Sequence, residues 1–311
     1  LSEIGYSSFS RPFYIVKLEH NGLINSACFS PDESKILTAS EDGSIKLWSQ
    51  DGKSLFELKV HSSRITKVSF STDGKNVLTA SADGTAKLLN LKDQSIKIFQ
   101  HHGVVSSAVF SPQGDSVLTG AWDKTAKLWN LEGKLLQNLN GHNQALSSAV
   151  FSHDGKFILT ASWDRTASVW DLNGKKIANM IHDSGLSSAQ FFPDSKTILS
   201  AYDDRVIKVW NLTGKVLFES KQNSIISAIA ISPDGNWFIS ASEDGFCRIW
   251  HSDKQNWKLA SEWKQDGVAT IIEFSRDNSR IIIASDDGKA RIYKINGELQ
   301  AILPHTKAVL S

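Results

Sequence analysis

Residues 141–171 read GHNQALSSAVFSHDGKFILTASWDRTASVWD. Four positions in this stretch decide the fold: His142, Thr160, Asp164 and Trp170. Asp164 has counterparts at Asp42, Asp83, Asp123, Asp204, Asp244 and Asp287, and the successive spacings along the chain are 41, 40, 41, 40, 40 and 43. Six positions after each Asp stand Trp48, Leu89, Trp129, Trp170, Trp210, Trp250 and Tyr293. Twenty-two positions before it stand His20, His61, His101, His142, His182, Gln222 and Gln265. Four positions before it stand Thr38, Thr79, Thr119, Thr160, Ser200, Ser240 and Ile283. Four columns in register over seven units mark a repeat architecture. Length alone, at 311 residues, would have suggested two domains.

Each unit reads as short strands separated by turns. In the fourth, 147–152, 157–162, 166–170 and 176–180 are rich in β-branched and aromatic residues, with HDGK, WDR and DLNGK between them. The strands are apolar or small on both faces, which suits a sheet covered on both sides by like sheets.

With these columns the chain resembles the WD40-repeat β-propellers over about residues 12–305. The family signature is complete as Gly141-His142 and Trp170-Asp171 and partial elsewhere. The resemblance implies an all-β fold: a seven-bladed β-propeller of four-stranded antiparallel blades spanning 12–303. The units fall at about 20–60, 61–100, 101–141, 142–181, 182–221, 222–264 and 265–304, after an N-terminal lead at 1–11. It also implies a buried tetrad in which the indole donates to the hydroxyl, the hydroxyl meets the imidazole and the imidazole meets the carboxylate. Complete sets are His20, Thr38, Asp42, Trp48; His101, Thr119, Asp123, Trp129; His142, Thr160, Asp164, Trp170; and His182, Ser200, Asp204, Trp210. Units 2, 6 and 7 depart from the set at Leu89, Gln222, Gln265, Ile283 and Tyr293. Blades 6 and 7 are therefore expected to open more easily than blades 3 to 5.

An outer-strand element precedes each column residue, as in KIANMIH at 176–182. YIVKLEH at 14–20 and ELQAILPH at 298–305 both have this form, giving eight outer strands for seven blades. By the family's closure, 12–18 is expected to complete the last blade, leaving 298–303 surplus and 304–311 as the stub of a truncated eighth repeat. The other arrangement has the C-terminal strand close the ring. The chain starts at Leu1, so a piece of a longer protein is expected.

Composition removes other classes. Lys plus Arg is 34 against 33 for Asp plus Glu, a balance that gives no general pull on nucleic acid or anionic membrane. Cys28 and Cys247 form no CxxC pair, which points to reduced thiols rather than a disulfide or zinc scaffold. No apolar run is long enough for a membrane helix, and the first residues lack the features of a signal peptide, so a cytoplasmic location is expected. Six of the nine histidines (His20, His61, His101, His142, His182, His305) belong to the repeat column, and His102, His153 and His251 have no ligand-like partner in sequence. Gly52-Lys53-Ser54 ends like a phosphate-binding loop, but position 47 is Leu where Gly is needed. No catalytic residue, metal site or cofactor is predicted.

Trp is unusually abundant at 10, and five of these are the column residues. Trp122 and Trp163 are not. They stand just before the turn Asp, where the other units carry Glu41, Ala82, Asp203, Glu243 and Asp286. Tyr202 lies close by in unit 5, and these three turns replace the usual Gly with Lys124, Arg165 and Arg205. In the family, partners dock on the face carrying these loops. That face also holds the residues three past the column (Leu23, Arg64, Val104, Ala145, Gly185, Ile225, Val268). The residues five past it (Asn25, Thr66, Ser106, Ser147, Ser187, Ser227, Thr270) would line a narrow wet channel. Aromatic and Arg residues are enriched where binding energy concentrates. The predicted partner site is thus Trp122, Trp163, Tyr202, Arg64, Lys124, Arg165 and Arg205, for a protein or peptide segment with acidic and apolar groups. Lys46, Lys87, Lys127, Lys208, Arg248 and Arg291, four past the Asp, are expected to snorkel between blades. The longer connection at 252–265 reads as a thicker outer strand or as a side-surface contact.

The expected function is a non-catalytic protein- or peptide-interaction scaffold, the binding or regulatory region of a larger protein. The alternative is a sensor acting in cis on an attached signalling NTPase, kinase or protease, because the likeness of neighbouring units is similar to bacterial WD40 arrays. An enzymatic propeller would need an acidic or His-rich channel, and a nucleic-acid platform a basic face.

Overall fold

Strand-forming runs broken by Asp, Gly and Asn turns fold into seven separate sheets in chain order. A computed structural model describes residues 18–253 and 256–304, apart from the side chains of Leu186, Ser187, Tyr202 and Pro304. Its strands form seven four-stranded sheets, at 24–59, 65–100, 105–139, 146–181, 186–221, 226–264 and 269–304, with no helix among the described residues. These are blades 1 to 7. Each is antiparallel and ordered in sequence from inner to outer strand, here a to d. Inner strands of consecutive blades pack side by side around a central channel.

The end strands depart from expectation. Leu299–Pro304, expected as surplus, pairs with Lys289–Lys294 as the outer strand of blade 7, the place assigned to 12–18. Residues 12–17 and 305–311 lie outside the described residues, and the two readings of the tail with them. The longer unit 6 is a thicker outer hairpin, with strands Phe246–Asp253 and Asn256–Lys264 of eight and nine residues. Trp257 anchors it, buried at ring distances of 5.2 Å from Phe192 and 4.8 Å from Phe238.

Consecutive blades bury Leu, Ile, Val and Ala against each other. Between blades 2 and 3, for instance, Leu78, Ala80 and Leu88 meet Val105, Ala108 and Val117. An aromatic residue at the column coincides with an irregular ladder. In six blades the c–d pairing shifts register at that residue, while blade 2, with Leu89, pairs without a shift.

The tetrad forms in full in blades 3 and 4. Trp170 Nε1 donates to Thr160 Oγ1 at 2.8 Å, Thr160 Oγ1 lies 2.8 Å from His142 Nε2, and His142 Nδ1 lies 3.0 Å from Asp164 Oδ2. The same three distances in blade 3 are 2.8, 2.7 and 2.9 Å. Proton positions are consistent along the chain when Nδ1–H donates to Asp and the hydroxyl donates to Nε2. Asp164 also accepts from Asn143 N and Thr166 N, so a single carboxylate pins the b–c turn to the d–a loop.

Other blades rewire the network. In blade 1, Ser44 stands between His20 Nδ1 (3.1 Å) and Asp42 (2.5 Å). In blade 5, Trp210 still reaches Ser200 at 2.7 Å, but Ser200 to His182 stretches to 3.5 Å. Blade 6 keeps only a 3.4 Å Trp250–Ser240 bond, and Gln222 Oε1 finds no partner among the described residues. Blade 7 builds a substitute: Tyr293 donates to Gln265 Oε1 at 3.2 Å, Gln265 Nε2 donates to Ser285 at 2.9 Å, and Arg291 grips Asp287.

Burial pushes the pKa of His61, His101 and His142 below the ordinary imidazole value, with the facing Asp offsetting part of the effect. In blade 5 burial, followed by the Lys208 charge, takes His182 down to about 2. Burial alone would raise the Asp83 carboxyl, but hydrogen bonds from Thr85 and His61 override it and hold it at about 2.

Two outcomes follow from the network. Thr160→Val leaves the Trp170 indole and the His142 imidazole buried without their shared partner. It should cost about 2–4 kcal/mol in urea unfolding, and a loss below about 0.5 kcal/mol would contradict the shared role. For pH, the depressed histidines bind fewer protons in the native state than in the unfolded chain. Their contribution to stability is complete above about pH 6.5 and is lost as pH falls below it. The urea midpoint should drop between pH 7 and pH 5, and less steeply in His142→Gln. A midpoint that rises over that interval would contradict this.

Candidate functional site

The top face is assembled by one backbone bond repeated in every blade. The residue before the turn Asp donates its N–H to the carbonyl of the residue three past the column: Glu41 to Leu23, Ala82 to Arg64, Trp122 to Val104, Trp163 to Ala145, Asp203 to Gly185, Glu243 to Ile225 and Asp286 to Val268. The two position classes expected on this face are therefore joined in every blade. With the turn fixed by its Asp and by this bond, the side chain before the Asp is free to face outward.

Trp122 and Trp163 meet across the boundary of blades 3 and 4, with ring centroids 5.3 Å apart and planes inclined at 49°. They pack on each other, yet each stays 40% and 47% exposed, respectively. The column Trp are buried by contrast, with Trp48, Trp129, Trp170, Trp210 and Trp250 at 3–7% exposed. The following turns are strained as well. Where blade 1 has Gly43 at φ +81°, a Cβ would meet the His61 carbonyl at 2.3 Å. Blades 3, 4 and 5 instead carry Lys124, Arg165 and Arg205 at φ 73°, 74° and 71°, a region that costs a side chain about 1 kcal/mol or more.

All three side chains are exposed, as is Arg64 on the adjacent blade 2. Arg205 reaches the Asn223 carbonyl at 3.3 Å, whereas Arg64, Lys124 and Arg165 make no ion pair among the described residues. The Tyr202 side chain lies outside the described residues, although its backbone ends strand b of blade 5. The structure thus gathers two tilted, touching indoles and cations without an ion pair among the described residues on blades 2 to 5.

The small polar column five past the His position has a structural use. Asn25, Thr66 and Ser106 donate to the Ile65, Val105 and Leu146 carbonyls of the next blade at 3.1, 2.7 and 2.8 Å. The basic column four past the Asp is likewise absorbed by the scaffold. Lys87 and Lys127 donate to the Val60 and Gln100 carbonyls, and Lys46, Lys127 and Lys208 lie over the column Trp rings at 5.7, 5.6 and 5.3 Å. Trp237 packs on His251 at 4.2 Å, and Trp263 packs on Tyr293 at 5.0 Å.

One surface was not singled out in the sequence. A cavity of about 670 Å³ opens at the other end of the channel, lined by Phe151, Phe191, Phe274, Pro193 and Pro233. The signal was periodic: Phe29, Phe70, Phe110, Phe151, Phe191, Ile231 and Phe274 stand nine past the column. Among the described residues no group of three His, Cys, Asp or Glu could hold a metal ion, and no helix is long and apolar enough to cross a membrane.

The repeat and the blades agree with comparison to known proteins. The family model described as WD domain, G-beta repeat matches residues 13–49, 52–90, 93–130, 133–171, 174–211 and 214–251. The chain belongs to the WD40 repeat family, whose propellers commonly serve as protein-interaction scaffolds. Among solved structures it is similar to the computationally designed Ika8 protein, with a TM-score of 0.84 and 24% identity over 94% of this chain and 91% of that one, a likeness of fold. Among curated proteins none matches.

Proposed function

We propose that the chain is a non-catalytic interaction scaffold that captures a protein or peptide segment carrying acidic and apolar groups on the top of blades 2 to 5. One observation carries the reading: an exposed indole pair bordered by cations held in left-handed turns. Backbone strain of this kind persists where the surrounding structure enforces it, and it clusters at functional sites. Glycine would relieve it, as it does in blades 1, 2, 6 and 7, where Gly43, Gly84, Gly245 and Gly288 occupy the same turn at positive φ. Two Trp rings supply rigid apolar area at low entropic cost, and Lys124, Arg165 and Arg64 supply charge for carboxylates on the partner.

The test is capture of an acidic–apolar peptide library by the propeller. Trp122→Ala/Trp163→Ala should lose binding by at least about tenfold without loss of fold. Full binding by that variant would overturn the proposal. A second variant separates strain from fold: Lys124→Gly/Arg165→Gly/Arg205→Gly should gain about 1–3 kcal/mol of stability while weakening capture. Equal or tighter capture would show that the strain serves no recognition.

A further inference from the structure

Six of the seven boundaries between blades are filled by hydrophobic clusters, those between blades 1–2, 2–3, 3–4, 4–5, 5–6 and 6–7. The boundary between blades 7 and 1 differs. On blade 7, Ile282 is 38% exposed, whereas its six equivalents Leu37, Leu78, Leu118, Leu159, Leu199 and Ile239 are 0–1% exposed. On blade 1, Ala27 is exposed where Val68, Ala108, Ala149, Ala189, Ile229 and Ile272 are buried, and Phe29 is 63% exposed. Between the two walls the channel widens into a cavity of about 990 Å³ that reaches Ala27 and Ile36 on one side and Ile282, Ala290 and Leu303 on the other. Below the opening the rim is bridged by an ion pair, Arg276 to Glu33 at 2.7 Å, whose side chains are 87% and 55% exposed. An exposed pair of this kind adds little to stability and does not replace an apolar contact.

We propose that the seam between blades 7 and 1 is a docking site for one further unit of the same repeat, a four-stranded blade that seats between these two walls. The argument is continuity with the established interfaces. The blade 7 wall carries the Leu/Ile–Ala columns with which every blade receives its successor, and the blade 1 wall carries the Ile–Ala columns with which every blade meets its predecessor. The surface complementary to both at once is a sheet bearing both column sets, which is a blade. The repeat arithmetic agrees. Outer-strand elements number eight in the sequence, and the seven sheets use seven of them.

Ala27, exposed on the blade 1 wall, is the place for a reporter thiol as Ala27→Cys, and Cys247, fully buried, is its control. The probe is a copy of unit 4, residues 142–181, appended after the last residue of the chain, with alkylation by N-ethylmaleimide followed residue by residue. Without the added unit the thiol at position 27 should react much faster than Cys247. With it, that thiol should be protected at least tenfold while the Cys247 rate holds. An unchanged rate at position 27 in the fusion overturns the proposal. So does a thiol at position 27 already as inert as Cys247, which would mean that the seam is shut.

A variant of the unmodified chain keeps the test sound should the fusion fold poorly. Ile282→Asp should leave the melting temperature within about two degrees, whereas Leu159→Asp, its buried equivalent, should unfold the chain. Equal losses would show a closed seam and overturn the proposal. Sedimentation that finds a dimer protecting the thiol of Ala27→Cys would instead assign the seam to a second copy of this chain, against the proposal. None of these readouts involves Trp122 or Trp163, so this inference and the top-face reading fail independently.

Discussion

The hydroxyl of Thr160, with its counterparts in the other blades, is the atom on which this structure depends. It accepts from an indole ten residues ahead and donates to an imidazole eighteen residues behind. In doing so it joins strand b, strand c and the loop entering the blade. A buried hydroxyl with both partners in place contributes modestly to net stability, but removing it strands two buried groups, which is where the cost lies. The same network places the turn Asp under the b–c hairpin, so that the tip of every blade is held from below by a carboxylate with several donors.

That support is what allows the tips to vary. In blades 1, 2, 6 and 7 the turn takes glycine and makes no demand on the scaffold. In blades 3 to 5 it takes Lys or Arg in the left-handed region, and the tips of blades 3 and 4 also carry Trp. The most complete tetrads, in blades 3 and 4, lie directly beneath the two exposed indoles. The fullest hydrogen-bond networks and the proposed binding surface thus share one sector. Blades 6 and 7 hold looser or substituted networks, and blade 7 borders the open seam.

Much of this was legible in the sequence because the columns are periodic and the chemistry of each column is narrow. Seven Asp positions in register, with Trp, His and Thr at fixed offsets, leave one architecture. The top-face residues were legible as departures from their columns: Trp122 and Trp163 where others carry Glu, Asp or Ala, and Lys124, Arg165 and Arg205 where others carry Gly. What escaped had other causes. The segments 14–19 and 299–304 look alike in sequence, and the place of Leu299–Pro304 as the outer strand of blade 7 shows only in its pairing. The Gln265–Tyr293 substitute in blade 7 read as a loss, because a two-residue replacement preserves the contact while breaking both columns. The bond from Ser106 to the next blade depends on the distance between sheets, which no single repeat encodes.

The claim at the centre of this account is that the completeness of each tetrad sets how tightly its blade is held. Exchange of the five column indole protons with deuterium, followed by NMR in the native state, reads that most directly. Trp129 and Trp170, donating at 2.8 Å to threonines that also hold an imidazole, should exchange slowest. Trp250, at 3.4 Å from Ser240 and with Gln222 where the column imidazole would stand, should exchange fastest. Protection of Trp250 equal to or greater than that of Trp170 would contradict the account.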